Sequence, residues 1–465
     1  MASPPQRPLW GSRVREPLSE LALTLSSSTD VDRPLASYDV LASRAHVDQL
    51  ARLGLIDAEG RARLDTVLGA IGEAIEGGKF AWNDAEEDVH MNVEAAVREA
   101  AGPELAGQLQ AGRSRNEEVV TDERLWLLDA VSRLDEALQR LQEVLVGRAE
   151  EHVETILPAH THTQPAQPIL LAHHLLAYLE MLLRDRGRLR DAAGRADVSP
   201  AGSGAAAGSG LAIDREAVAH RLGFSSISAN SLDAASDRDY AVEVASACAI
   251  ALMHLSRLAA DLVSWSTPYY RFARIGDGYA SGSSMLPNKR NPDIAELIRG
   301  RAASAQGDLL TVIGIQSGLP LGYHRDLQET RGPMQRTVAS LELCAEAMAE
   351  MLGGVTFDPG AMAAAATGGH ALSTALAERL VRAGVPFRDA HWRVGELVAS
   401  AEETGRDLSD LPADELRDAL PELTNHDPIL PTLAEAVASA DLPGGTAPNR
   451  VRAALVDARE RIHRT

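Results

Sequence analysis

Residues 124–150 read RLWLLDAVSRLDEALQRLQEVLVGRAE. Leu127, Val131, Leu134, Leu138, Leu141 and Leu145 recur at steps of four and three, which lines one face of an α-helix. Asp, Glu and Arg fall elsewhere on the same helix. The stretch 237–265, DRDYAVEVASACAIALMHLSRLAADLVSW, contains neither Pro nor Gly. As one helix it spans roughly 40 Å at about 1.5 Å per residue. Segments 168–190, 293–318 and 333–353 also read as long helices. Several such helices with apolar faces make a bundle, so the fold class is all-α. Only 4% of the 465 residues are aromatic, so the core is built from Ala, Leu and Val, which suits close-packed helices. The Ala-rich faces exceed what one chain covers, and burial against further copies is expected.

Composition narrows the function. With 45% hydrophobic and 24% charged residues the chain has ordinary globular composition, and its formal net charge is −21. A field of that sign disfavours nucleic acid and anionic membranes, although a local Arg and Lys cluster still permits a small anionic substrate. Cys248 and Cys344 lie in apolar helical stretches and form no disulfide or zinc pattern. The start, MASPPQRPLWGSR, lacks the apolar region of a signal peptide, and no uninterrupted run of about 18 apolar residues occurs. A cytoplasmic protein is expected, with no cofactor and no catalytic metal. SPAGSGAAAGSG (199–210) has no preceding strand that would make it a dinucleotide loop, and is expected to be a mobile connection between bundle helices. A mixed region before 112 and shorter helices after 363, broken at points such as Gly384-Val385-Pro386, divide the chain into 1–112, 113–363 and 364–465.

Residues 282–296, GSSMLPNKRNPDIAE, are poor core material. Asn291-Pro292-Asp293 reads as a helix start, with Asn as cap, Pro at the first helical position and Asp at the positive end. The loop then sits at a helix N-terminus, where free amides favour an anion. Lys289 adds a positive charge, Gly282 lets the backbone bend, and Ser283 and Ser284 are hydroxyls in an electropositive place.

This segment resembles the GSSxMPxKxNP signature of the fumarase/aspartase superfamily, with Met285 and Leu286 interchanged. LWGSR (9–13), SYDVLASRAH (37–46), EEDVHMNVE (86–94), AGRSRN (111–116), LPAHTHTQPAQP (157–168), NSLDAASDRDY (230–240), GYHRDLQE (322–329) and GVPFRDAH (384–391) resemble the argininosuccinate lyase family from end to end of the chain. The resemblance implies three helical domains around a twenty-helix core in a homotetramer, with active sites shared between subunits. It implies anti elimination, in which an N-substituted aspartate loses its nitrogen and releases fumarate. On that basis Ser283 is the base, and Lys289 with Asn291 holds the carboxylate on which charge grows. His162 is the candidate acid, oriented by Glu296. Ser114, Arg115, Asn116 and Thr161 resemble contacts to the substrate carboxylates. Tyr323, Gln328 and, more weakly, Ser28 match residues at the amino-acid end, with Arg331 in the same group. Asp88 and His90 are expected to shape that pocket, while His173 and His174 are expected to pack inside a helix.

Some positions depart from the family pattern. Glu117-Glu118 stands where Asp-Gln is usual, and Asn288 and Arg290 where Gln and Lys are common. Arg331 replaces a usual Lys, Ala375 a common Asp, and AHTH the usual GYTH. A planar guanidinium for an ammonium at 331 is not neutral if that side chain meets substrate. The reading is cleavage of argininosuccinate to arginine and fumarate. The alternatives are a paralogue acting on a different N-substituted aspartate and a silent, crystallin-like homologue; the latter would be favoured by loss of Ser283 or His162, and neither is lost.

Overall fold

A computed structural model describes residues 18–83 and 85–464. The LWGSR motif at 9–13 lies outside them. The apolar stripe of 127–145 lies on one helix, Arg115–Glu151, and all six of its residues are at most 4% exposed. That helix begins nine residues before the quoted stretch, with the Glu117 and Glu118 amides bonded to the Ser114 carbonyl, both at 3.1 Å. Leu171–Ala196, Asp239–Trp265, Asp293–Gln316 and Arg331–Gly353 complete the set of long helices. Asp239–Trp265 is long and apolar enough to cross a membrane by length and composition, but 61% of its most apolar window is buried within the protein. The expected helix over 168–190 starts instead at Leu171, because 164–170 is a β-strand.

By packing the chain divides into two units. Among the described residues, the first comprises those up to Ser132, Arg190–Ala245 and Asp308–Arg336; the second comprises Arg133–Leu189, Ser246–Gly307 and those from Thr337 onward. The boundaries fall inside the five long helices.

In the first unit, helices Ala36–Arg52, Ala58–Glu76 and Val89–Ala101 close over Val47, Leu50, Leu64, Leu68, Val93 and Val97. Two are capped by carboxylates: Asp57 accepts the Gly60 amide at 2.8 Å and Asp88 that of Met91 at 2.7 Å. The Gly/Ser segment 199–210 is not the loose connection expected. Its turns are closed by Gly208 N to Ser203 O at 2.8 Å and Ser209 N to Gly202 O at 3.1 Å. The Gly204 amide also donates to Glu117 Oε2 at 2.7 Å. Gly204 has φ +62, and a Cβ there would stand 2.9 Å from the Gly208 carbonyl oxygen, so its glycine is a packing requirement.

The second unit carries a β-hairpin, Ile156–Thr161 paired antiparallel with Gln164–Leu170, which is what the LPAHTHTQPAQP motif becomes. Its C-terminal helices, Ser373–Arg382 and Phe387–Glu403, bury Leu376, Leu380, Val394 and Leu397 together with Leu408, Leu416 and Leu423. Two further short antiparallel pairs, Ala273–Arg274 with Thr356–Phe357 and Ser281–Gly282 with Arg290–Asn291, are also present.

Candidate active site

The signature loop is a hairpin. Ser281 pairs with Asn291 and Gly282 with Arg290, and residues 283–289 form the exposed tip. Gly282 is extended within the pair rather than a bend. Ser283 Oγ accepts the amides of Met285 at 3.3 Å and Leu286 at 3.0 Å. Hydrogen bonds aimed at the charged form favour it, so these two donors lower the cost of negative charge on that oxygen. The donors belong to the loop itself and not, as expected, to the following helix. That helix starts at Asp293, with the Glu296 amide on the Pro292 carbonyl at 3.1 Å, so Pro292 holds the cap position read for Asn291. Asn291 stands one position before the cap, and its side-chain amide is turned to Ser281 Oγ at 3.5 Å. Lys289 is exposed and, among the described residues, makes no ion pair.

His162 sits at the tip of the other hairpin, between the paired Thr161 and Gln164. His162 and Thr163 have φ 54 and 59, the left-handed backbone of a two-residue turn that normally takes Asn-Gly. Holding two non-glycine residues there costs on the order of 1–3 kcal/mol each, and such strain clusters at functional positions. Thr161 and His162 are exposed. The expected His162–Glu296 pair is not made among the described residues, since Glu296 points from an exposed position on the 293–316 helix. His174, by contrast, packs as expected: it bonds Asp261 at 2.7 Å, which also accepts Tyr178 at 2.6 Å, and lies against Trp265.

The remaining candidates lie in the first unit. Ser114 opens the 115–151 helix, its Oγ accepting the Asn116 amide at 3.3 Å, while Asn116 Nδ2 donates to Ala205 O at 3.3 Å. Arg115 is half-buried and faces two carboxylates, with Nη1 on Asp88 at 2.7 Å and Nε on Glu118 at 3.1 Å. Glu118, one of the departures, therefore helps hold a side chain expected to meet substrate. Ser28 is buried and donates to Asp32 Oδ2 at 2.5 Å; Gln328 is buried and donates to Ser26 O at 3.3 Å; Tyr323 is half-buried.

Arg331 departs most from expectation. It is 2% exposed and its guanidinium is committed to Asp32 through Nη1 and to Glu123, at 2.8 Å, through Nε. Glu123 also takes Arg238 Nε at 2.9 Å and the Tyr240 hydroxyl. Burial opposes charge on Arg331, and Asp32 with Glu123 overcomes it and pushes its pKa further up. The longer fork reaches two carboxylates where a substrate contact was expected, so Arg331 supports the pocket rather than lining it freely.

Sequence reading missed Asp39 and Asp122, which gave no spacing signal. His90 Nδ1 lies 3.0 Å from Asp39 and 3.6 Å from Asp122, all three fully enclosed. Burial works against the His90 imidazolium, but Asp39 raises its pKa to about 9, against the opposing charge of Arg115 and with help from Asp88. Burial, followed by the Asp39 charge, pushes the Asp122 carboxyl well above the usual range. Burial likewise opposes charge on Asp39, but His90, Arg113 and Arg115 outweigh it and hold Asp39 low. The sign follows from the raised His90 value. The folded protein keeps a proton that the unfolded chain releases near 6.5, so its stabilisation is complete below 6.5 and is lost as pH rises to about 9. Asp122 acts in the same direction, since its folded form stays protonated where the unfolded one ionises. Denaturant midpoints are expected to fall between pH 6.5 and 9, with a slope of about 1.4 kcal/mol per pH unit for one proton. His90→Asn should flatten that slope; an unchanged profile removes His90 as its source.

Residues 12–307 match the family described as lyase, and residues 370–438 match the argininosuccinate lyase C-terminal family. The chain is 43% identical over 461 residues to argininosuccinate lyase of Thiobacillus denitrificans, covering 99% of each chain. It is 45% identical over 443 residues to argininosuccinate lyase of Mycobacterium avium, covering 95% of this chain and 94% of that one. A solved structure of EDDS lyase in complex with formate superposes with a TM-score of 0.83 at 28% identity, over 96% of this chain and 89% of the other.

Proposed function

Because the chain belongs to the argininosuccinate lyase family, we propose that it cleaves argininosuccinate to arginine and fumarate by anti elimination. The observation that carries the mechanism is Ser283, whose Oγ meets two amide donors on an exposed hairpin that also bears Lys289. Ser283 takes the proton from the carbon beside the carboxylate. The electron pair left behind collects on that carboxylate, where Lys289 and Asn291 offset the growing negative charge. The same pair then forms the C=C bond of fumarate as the C–N bond breaks on the opposite face. His162 gives the leaving nitrogen its proton. Ser114, Arg115, Asn116 and Thr161 bind the succinyl carboxylates, and Ser28, Tyr323 and Gln328 the amino-acid end, above an Arg331 fixed by its two carboxylates.

The reading includes a cytoplasmic homotetramer with the three-part chain division 1–112, 113–363 and 364–465, and a site assembled where subunits meet. Two features support it. His162 and Glu296 are both exposed and unpaired with one another within the chain. Large apolar side chains on the long helices are also exposed: Leu297 at 61%, Leu310 at 69% and Leu343 at 51%. A native mass equal to a single chain would remove the shared site.

The test is a substrate panel scored by the ultraviolet absorbance of fumarate. Argininosuccinate is expected to give rapid growth. A second reading, release of fumarate from an aspartate with another N-substituent, draws on Arg331, whose charge is already balanced by Asp32 and Glu123. Growth with another member of the panel but none with argininosuccinate would select it.

A further inference from the structure

Behind the signature hairpin, the second unit holds a cavity of about 620 Å³. That volume fits a small-molecule site. Arg271, Arg274 and Arg290 line it, together with Asn291, Phe357 and Asp358. In a chain of net charge −21, three guanidinium groups around one cavity are a local reversal of sign.

Not all of that charge is neutralised. Arg290 is bound to Asp277 and to the Ile275 carbonyl. Its hydrogen bond holds the Asp277 carboxyl below the usual range. Arg274 forms a second, longer ion pair with the same Asp277, at 3.9 Å, so one carboxylate serves two guanidinium groups. Asp358 is turned to another task, accepting the Ala361 amide at 2.9 Å as a helix cap. Arg271 makes no ion pair among the described residues and is exposed. Its backbone has φ 54, a left-handed conformation that costs a non-glycine residue stability and is found at ligand clamps.

We propose that this cavity is a second binding site, taking a small oxyanion (a phosphate or a carboxylate) between Arg271 and Arg274. Each guanidinium offers a fork of donors matched to paired anionic oxygens. The site is coupled to the hairpin through Arg290, which pairs with Gly282 across the strands and lines the cavity. An anion held by Arg271 and Arg274 draws Arg274 away from Asp277, leaving Asp277 to Arg290 alone, and so alters how firmly the base of the hairpin is anchored. Binding stands without the lyase reading; the effect on turnover rests on it.

Calorimetric titration of inorganic phosphate, and separately of malonate, into the wild-type protein, Arg271→Ala, Arg274→Ala and Lys289→Ala tests the proposal. Binding is expected in the wild type and in Lys289→Ala, and at least about tenfold weaker binding in both arginine variants. The tighter of the two probes identifies the ligand chemistry. In turnover assays that probe is expected to change the wild-type rate and to leave Arg271→Ala unaffected, while Arg271→Ala without probe turns over like wild type. Loss of binding in Lys289→Ala but not in the arginine variants would assign the anion to the signature loop and overturn the proposal. Absence of binding to the wild type would do the same. Anion binding without any lyase activity would sink the proposed function and leave this site standing.

Discussion

Ser283→Ala is expected to bind argininosuccinate with near-normal affinity and to release fumarate about 10²–10⁴-fold more slowly, the range that a positioned proton-transfer group contributes. The expectation rests on what surrounds the oxygen. Ser283 Oγ accepts amides from Met285 and Leu286, and a serine hydroxyl is a poor base unless its anion is stabilised before reaction. Alanine removes the acceptor of both amides while leaving the strand pairing of Ser281 with Asn291 and Gly282 with Arg290 intact. The loss should therefore appear in kcat and not in KM, since the interaction matters as charge develops. Fumarate release in single-turnover and steady-state assays separates the two. Turnover within a few-fold of wild type would take the base role from Ser283.

The helical frame was legible because its signal is local. Leu127 to Leu145 repeat at helical spacing, and nothing distant is needed to place them on a buried face. The LPAHTHTQPAQP hairpin was not legible as a strand pair. It contains Pro158, Pro165 and Pro168, and strand pairing is decided by partners rather than by residue preference. Its tip was still harder to read, because turns with two left-handed residues are recognised by Asn and Gly and this one uses His162 and Thr163.

Among the candidate site residues, Ser283 and Lys289 stood out by local composition, and His162 only through the family resemblance of its motif. Their partners did not: Asp32, Asp39, Asp122 and Glu123 look like ordinary helix-surface acids, and only folding shows them enclosed beside Arg and His. Arg331 shows the same limit. Its place in the motif suggested a substrate contact, whereas its environment makes it one member of a buried ion network.

That network makes Glu123→Ala the largest expected change in stability. Its carboxylate accepts Arg331 Nε at 2.8 Å and forms an ion pair with Arg238, whose Nε lies 2.9 Å away, and these guanidinium groups belong to side chains 2% and 0% exposed. Burial alone would raise the Glu123 pKa, but Arg238 and Arg331 hold it below the usual carboxylate range, so it is the anion that the site stabilises. Removing it leaves Arg238 without an ion pair among the described residues and Arg331 with Asp32 alone. Breaking a buried pair by deleting one partner costs about 3–5 kcal/mol, because the other charge stays enclosed and uncompensated. Glu123→Gln keeps the shape and part of the hydrogen bonding, and should cost less. Combining Glu123→Ala with Arg331→Met should recover part of the loss, since the double variant removes a stranded charge together with its partner. Thermal unfolding of the four proteins measures the series, and activity adds a second reading. Gln328 lies three residues before Arg331 and Tyr323 eight, on the same connection into its helix, so a loosened Arg331 should raise KM for argininosuccinate more than it lowers kcat. If Glu123→Ala melted with the wild type, the two arginines would have to be solvated or paired elsewhere, and Arg331 would again be available to meet the substrate directly.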